Sequence, residues 1–258
     1  MEELLISPYW LAAIFFVVAL FYSMVGLGGG TSYAALLGAF GASPRAIPTL
    51  SLIMNVLVSL IVSFHYIRAG HARWKLIGAV LIASAPMAYL GGSLDIAEGL
   101  FYLVLIAVLL LVAARIFLWP DPRLQIDWTR RSRMGAVLLL GAVIGFLSGL
   151  VGIGGGIFLI PALLILGLTD EREAAAAGGI FVFVNSLAGL AAHLQSYRPR
   201  PEDLLPLTAA VILGSLAGSY LGAVRLKRRT VQWIMGGIIL VAAFFLSLHV
   251  LESRSPLF

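Results

Sequence analysis

Two glycine strings are the part of this chain best suited to do chemistry without a reactive side chain. Gly26-Leu27-Gly28-Gly29-Gly30 opens "GLGGGTSYAALLGAFG", and Gly152-Ile153-Gly154-Gly155-Gly156 opens "GIGGGIFLIPALLILG". Glycine inside a helix costs about 1 kcal/mol relative to alanine, so each string predicts a break between two helical arms. The arm after the break begins with backbone N–H groups that have no partner in their own helix. Its dipole adds roughly half a positive charge at that end. With no side chain in the way, a small anion can approach those donors closely. Gly28, Gly29 and Gly30, and Gly154, Gly155 and Gly156, are therefore the candidate contacts of a small anionic substrate. A dinucleotide-binding fingerprint fits poorly, because Thr31 and Ile157 stand where its last glycine belongs and no soluble strand precedes either string. Small residues also let helices pack closely. Two aligned strings, each inside an overlong uncharged run, favour the break.

The elements that must position these strings follow from composition. Of 258 residues, 61% are hydrophobic and 11% charged, against about 25% charged in a soluble domain. The chain reads as an all-α polytopic membrane protein. Uncharged runs cover residues 4–44, 46–67, 76–94, 99–114, 134–169, 174–197, 204–224 and 230–251. Roughly 20 apolar residues cross a bilayer as a helix. Six runs suit one crossing each; the first and fifth are too long for one, and they hold the glycine strings. All 17 Lys/Arg lie between or beyond the runs, so the basic balance reflects membrane topology rather than nucleic-acid binding. With no cysteine, disulfides and thiolate metal sites are excluded. The start "MEELLISPYW" lacks the features of a signal peptide, so the first helix is expected to stay.

The two halves can be superposed by their order of features. Each reads as a helix, a glycine break, a short second arm and three further helices. These fall at about 7–25, 28–42, 46–66, 74–93 and 98–119, and again at about 133–151, 154–168, 172–196, 203–223 and 230–250. Asn55 aligns with Asn185 across the halves, allowing four extra residues in the second. The division is residues 1–118, a linker 119–132, and residues 133–258. Lys and Arg mark cytoplasmic loops. The linker carries Arg123, Arg130 and Arg131 and is placed in the cytoplasm. Counting from it places the loop of Arg68, Arg73 and Lys75 inside, the loop of Asp95 and Glu98 outside, and both termini outside. That count holds only if each broken segment returns to its own side. The halves then become inverted-topology repeats, a layout found in secondary transporters.

Along "LVGIGGGIFLIPALLILG", "AAAAGGIFVFVNSLAGLAAH" and "GSLAGSYLGA", the chain resembles the TauE/SafE family of sulfite and organosulfonate transporters. The likeness runs nearly the whole length and is sharpest in the second half; in the first, Ala35 stands where Pro161 would fall. The resemblance implies transport of a small sulfur oxyanion such as sulfite, thiosulfate or an organosulfonate. It leaves the particular substrate open.

The remaining polar residues are weighed singly. Asn55 and Asn185 lie mid-helix, where a buried amide needs partners; each either contacts substrate, holds a glycine loop or bonds a neighbouring helix. Thr31 is a candidate substrate contact, though with Ser32 it is expected rather to cap the first short arm. Ser23 and Ser148 are expected to bond back to helix carbonyls. His65 and His193 are candidates for carrying a coupling proton, although both lie toward helix ends, where an interfacial role is commoner. The five tryptophans fall near expected membrane interfaces, as an aromatic belt does.

No buried acid pair, triad or metal-ligand cluster stands out. The expectation is therefore a non-enzymatic carrier without cofactor or metal, resident in the cell membrane and compatible with a homodimer. It moves a small sulfur-containing oxyanion by alternating access. The alternatives are an anion channel or a carrier of a different small anion. A membrane-embedded enzyme and a metal-cation carrier are disfavoured for want of acids, bases and ligands.

Overall fold

A computed structural model of the chain describes residues 7–24, 26–118, 128–222 and 228–253. Its regular elements are helices: α1 (Pro8–Met24), α2 (Gly30–Ala39), α3 (Ala46–Arg68), α4 (Trp74–Ser93), α5 (Glu98–Leu118), α6 (Arg130–Val151), α7 (Gly156–Ile165), α8 (Glu171–His193), α9 (Pro201–Gly222) and α10 (Arg228–Ser253). Among the described residues there is no strand. Five of these helices are long and apolar enough to span a bilayer by length and composition. Leucine and phenylalanine side chains such as Leu103, Leu139 and Phe244 point outward, exposed, as a lipid-facing surface requires. The chain is an all-α polytopic membrane protein.

The two arms that follow the glycine strings, α2 and α7, have 10 residues each. At 1.5 Å per residue they are about 15 Å long, half of a hydrocarbon core of about 30 Å. They are shorter than the expected arms 28–42 and 154–168, because the glycines ahead of them stay outside the helix and turns close their far ends.

Close helix pairing sets the architecture. On α6, Gly141, Gly145 and Gly149 press on the backbone of Val80, Ser84 and Ala88 of α4. On α9, Gly214 and Gly218 press on the carbonyls of Phe16 and Leu20 of α1. Any β-carbon at these glycines collides with main chain. Here small residues spaced by four bring two backbones together. The numbering rises in the same sense on both members of each pair, so α4 runs parallel to α6 and α1 parallel to α9.

That register fixes which ends share a face. The N-terminal ends of α4 and α6 lie together, and the far end of α7 joins them: Arg73 and Arg133 both donate to the carbonyl of Leu168, and Trp128 Nε1–H donates to Leu166 O. The segment α6–break–α7 therefore returns to the face it left. A capping box at Asp170 and Glu173 starts α8 there, and Glu173 pairs with Arg73 at 3.0 Å. The corner between α2 and α3 lies at the opposite end, beside the α4–α5 loop and the end of α8, where Tyr102 OH donates to Ala42 O.

Most of the expected linker, residues 119–127, lies outside the described residues, as do residues 1–6 and 254–258 that carry the expected placement of the termini. The remainder of the linker is not a separate element: Thr129 caps α6 by accepting from Ser132 N–H, so the helix begins before the boundary at 133.

Candidate functional site

The two glycine strings meet at the centre of the protein. A methyl group on Gly30 would stand 2.6 Å from the carbonyl oxygen of Ile153, and one on Gly156 would stand 3.3 Å from the side chain of Leu27. Val182 of α8 packs on Gly28 of one break and on Gly156 of the other. The turns themselves need glycine: Gly29 has φ 94° and Gly155 φ 74°, each just ahead of its short helix, in the left-handed region that side chains avoid.

Asn55 joins the two breaks. Its Oδ1 accepts from Gly30 N–H at 3.1 Å, and its Nδ2 donates to Ser186 Oγ of α8 at 3.0 Å. The same side chain contacts Gly28 and Gly154. One turn earlier on α3, Ser51 Oγ lies 2.9 Å from Gly30 O and 2.7 Å from Gly152 O. A hydroxyl has one proton, so Ser51 donates to one carbonyl at a time and holds the two breaks together across the pair.

The first two amides of each break, at Gly26 and Leu27 and at Gly152 and Ile153, donate back to carbonyls of the preceding helix; five others are free. Among the described residues, the N–H groups of Gly28, Gly29, Gly154, Gly155 and Gly156 donate to no protein group. Two buried hydroxyls without a partner stand beside them. Tyr33 OH would lie 3.0 Å from a methyl on Gly29, and the β-carbon of Ser148 would lie 3.2 Å from one on Gly155. Buried polar groups are ordinarily paired. A cluster of free donors around two helix N-termini is suited to hold an anion.

Other expected residues sit elsewhere. Asn185 is not the structural counterpart of Asn55: its Nδ2 donates to Ser84 Oγ of α4 at 3.0 Å and to Phe181 O, while its Oδ1 is buried without a partner. Thr31 does not cap α2. The cap position is Gly29 without a side-chain bond, and Thr31 Oγ1 and Ser32 Oγ each meet Tyr22 OH at 2.8 Å. Ser23 and Ser148 do not bond back to helix carbonyls; both hydroxyls are buried and unpartnered. His65 is exposed on α3, with Nδ1 donating to Ile61 O of its own helix. His193 is partly buried, with Nε2 donating to Gly149 O at 2.7 Å.

Ser51, Ser186 and Tyr22 were not singled out from the sequence. Ser51 carried a signal, standing four residues before Asn55 and so on the same face of the helix. Ser186 and Tyr22 carried none, since their partners come from other elements.

A cavity of about 530 Å³ opens from the face of the α2–α3 corner. Arg45, Asp95, Glu98 and His193 stand in its walls, and Pro48 and Leu150 line it. Pro48 also abuts Gly152, so a single layer of side chains separates the cavity from the breaks.

The family model for the sulfite exporter TauE/SafE matches residues 11–246. A probable membrane transporter protein, y4hK, of Sinorhizobium fredii is 32% identical over 235 residues, covering 90% of this chain and 95% of its own. Probable membrane transporter protein MJ0441 of Methanocaldococcus jannaschii is 29% identical over 202 residues, covering 75% and 74%. YjnA of Bacillus subtilis, with the same description, is 27% identical over 238 residues, covering 85% and 91%. No solved structure matches. With the family model spanning nearly the whole chain and relatives alike along most of their length, this chain belongs to the sulfite exporter TauE/SafE family of membrane transporters.

Proposed function

We propose that this transporter carries a small sulfur-containing oxyanion such as sulfite, thiosulfate or an organosulfonate, and that the two glycine breaks form its binding site. The observation that carries the reading is the meeting of two broken segments whose amides at Gly28, Gly29, Gly154, Gly155 and Gly156 find no partner among the described residues. Backbone donors and helix dipoles neutralise an anion without a permanent buried cation, which would cost about 2.5–3.5 kcal/mol or more at mid-bilayer. Sulfur enters from the family, whose model is described as a sulfite exporter.

In this reading the halves are inverted repeats and transport proceeds by alternating access. Three observations support it: α6–break–α7 returns to its own face, α2 ends at the opposite face, and the helix pairs α4–α6 and α1–α9 exchange when the halves are exchanged. The described state has a cavity on one side that ends at Pro48 and Leu150, one layer short of the breaks. Arg73 and Arg133 fasten the end of α7 on the other. Asn55 and Ser51 position the breaks, and Asn185 ties α8 to α4 rather than touching substrate. His193 lines the cavity with Asp95, Glu98 and Arg45, which favours it over the exposed His65 as the carrier of a coupling proton.

Uptake into proteoliposomes, screened across sulfite, thiosulfate, sulfate, sulfoacetate and taurine, tests the reading. Gly156→Ala adds a methyl group beside the donors, pressed against the stiff, β-branched side chain of Val182. It is expected to weaken substrate binding at least tenfold, about 1.4 kcal/mol. Gly135→Ala, with open space around it, is expected to transport normally. Saturation and counterflow mark a carrier, whereas conductance without either marks a channel. Normal affinity in a folded Gly156→Ala protein removes the breaks from the binding site.

A further inference from the structure

A second cavity, of about 460 Å³, lies between the N-terminal ends of α4 and α6, away from the glycine breaks. Four cations line it: Arg73 just ahead of α4, Lys75 in its first turn, and Arg130 and Arg133 from α6. Below them the wall is apolar, with buried Leu76 and Val137. Arg73 and Arg133 bring two guanidinium groups to one carbonyl oxygen, that of Leu168. Among the described residues, Glu173 opposes them through its ion pair with Arg73. Among the described residues, the side chains of Lys75 and Arg130 make no hydrogen bond or ion pair. Trp74, exposed at the rim, is a residue type that settles at the membrane–water boundary.

We propose that this groove binds an anionic phospholipid of the adjoining leaflet. Its phosphodiester headgroup sits among the four cations, and its acyl chains lie against the apolar wall at Leu76, Ala79, Met134 and Val137, above the point where α4 and α6 close on each other. A free phosphate would leave that wall facing no partner, whereas a lipid satisfies both parts of the groove. Basic pockets between membrane helices recognise lipid headgroups by the same combination. The bound lipid relieves the repulsion between the clustered guanidinium groups and adds to the fastening of α7 at that face.

The test is native mass spectrometry of the purified full chain titrated with dioctanoyl phosphatidylglycerol or dioctanoyl phosphatidylcholine. The phosphatidylglycerol adduct is expected at far lower lipid concentration. Lys75→Gln and Arg130→Gln each weaken it about fivefold, the effect of one juxtamembrane cation, and leave the bonds to Leu168 in place. Arg198→Gln with Arg200→Gln, outside this groove, leaves it unchanged. Equal binding of phosphatidylcholine overturns the proposal, as does indifference to Lys75→Gln and Arg130→Gln. Full displacement of the lipid by inorganic phosphate also overturns it, assigning the groove to a free anion.

Discussion

Replacing Asn55 by alanine separates a residue that holds the breaks from one that merely joins helices. Asn55 is fully buried; its oxygen accepts from Gly30 N–H and its amide donates to Ser186 Oγ. Truncation strands the Gly30 donor, at about 1–3 kcal/mol for a buried unsatisfied group. It also deletes an interhelical bond of about 0.6 kcal/mol and leaves a small void, for a total of about 2–4 kcal/mol. Asn185→Ala is the comparison. It deletes one interhelical bond to Ser84 but also removes an oxygen that is already buried and unpartnered, so its net cost is about 0–1 kcal/mol. Each kcal/mol moves a melting midpoint by about 2–4 °C in a protein near this size. A fluorescence-detected melt in detergent should then fall by about 5–15 °C for Asn55→Ala and by less than about 4 °C for Asn185→Ala. Equal losses in the two variants would refute the assignment of Asn55 as the clamp on the first break.

Three further outcomes follow. Gly145→Leu drives a side chain into the backbone of Ser84 and should abolish folded protein on size-exclusion chromatography, while Gly237→Ala, with nothing nearby, should match or exceed the parent stability. His65→Gln should leave transport rate and its pH profile unchanged; His193→Gln should flatten the profile if the histidine in the cavity wall carries the coupling proton, and an unaltered profile excludes it. Asp170→Ala removes the side chain that accepts from Glu173 N–H and should cost about 1 kcal/mol, the usual value of an N-cap, read as a small drop in melting midpoint.

The membrane spans and the two breaks were legible from the chain alone. Excluding charge from lipid and excluding glycine strings from regular helix are rules about local sequence, satisfied whatever the neighbours are. The count of positive charges assumes that the second broken segment returns to its own side; the bonds from Arg73 and Arg133 to Leu168 hold α7 at the face where α6 begins. What local rules cannot give is which side chains face the breaks. Successive helix residues point about 100° apart, so Asn185 and its neighbour Ser186 face different partners: α4 takes the first and Asn55 the second. Asn185 thus bonds to a neighbouring helix, one of the roles open to it from the sequence, while Ser186 meets Asn55. Likewise Thr31 carries the chemistry of a cap, yet Tyr22 takes its hydroxyl. The chain sets where backbone donors leave the helix ladder; only the packing of helices from both halves decides which of them find a protein partner and which do not.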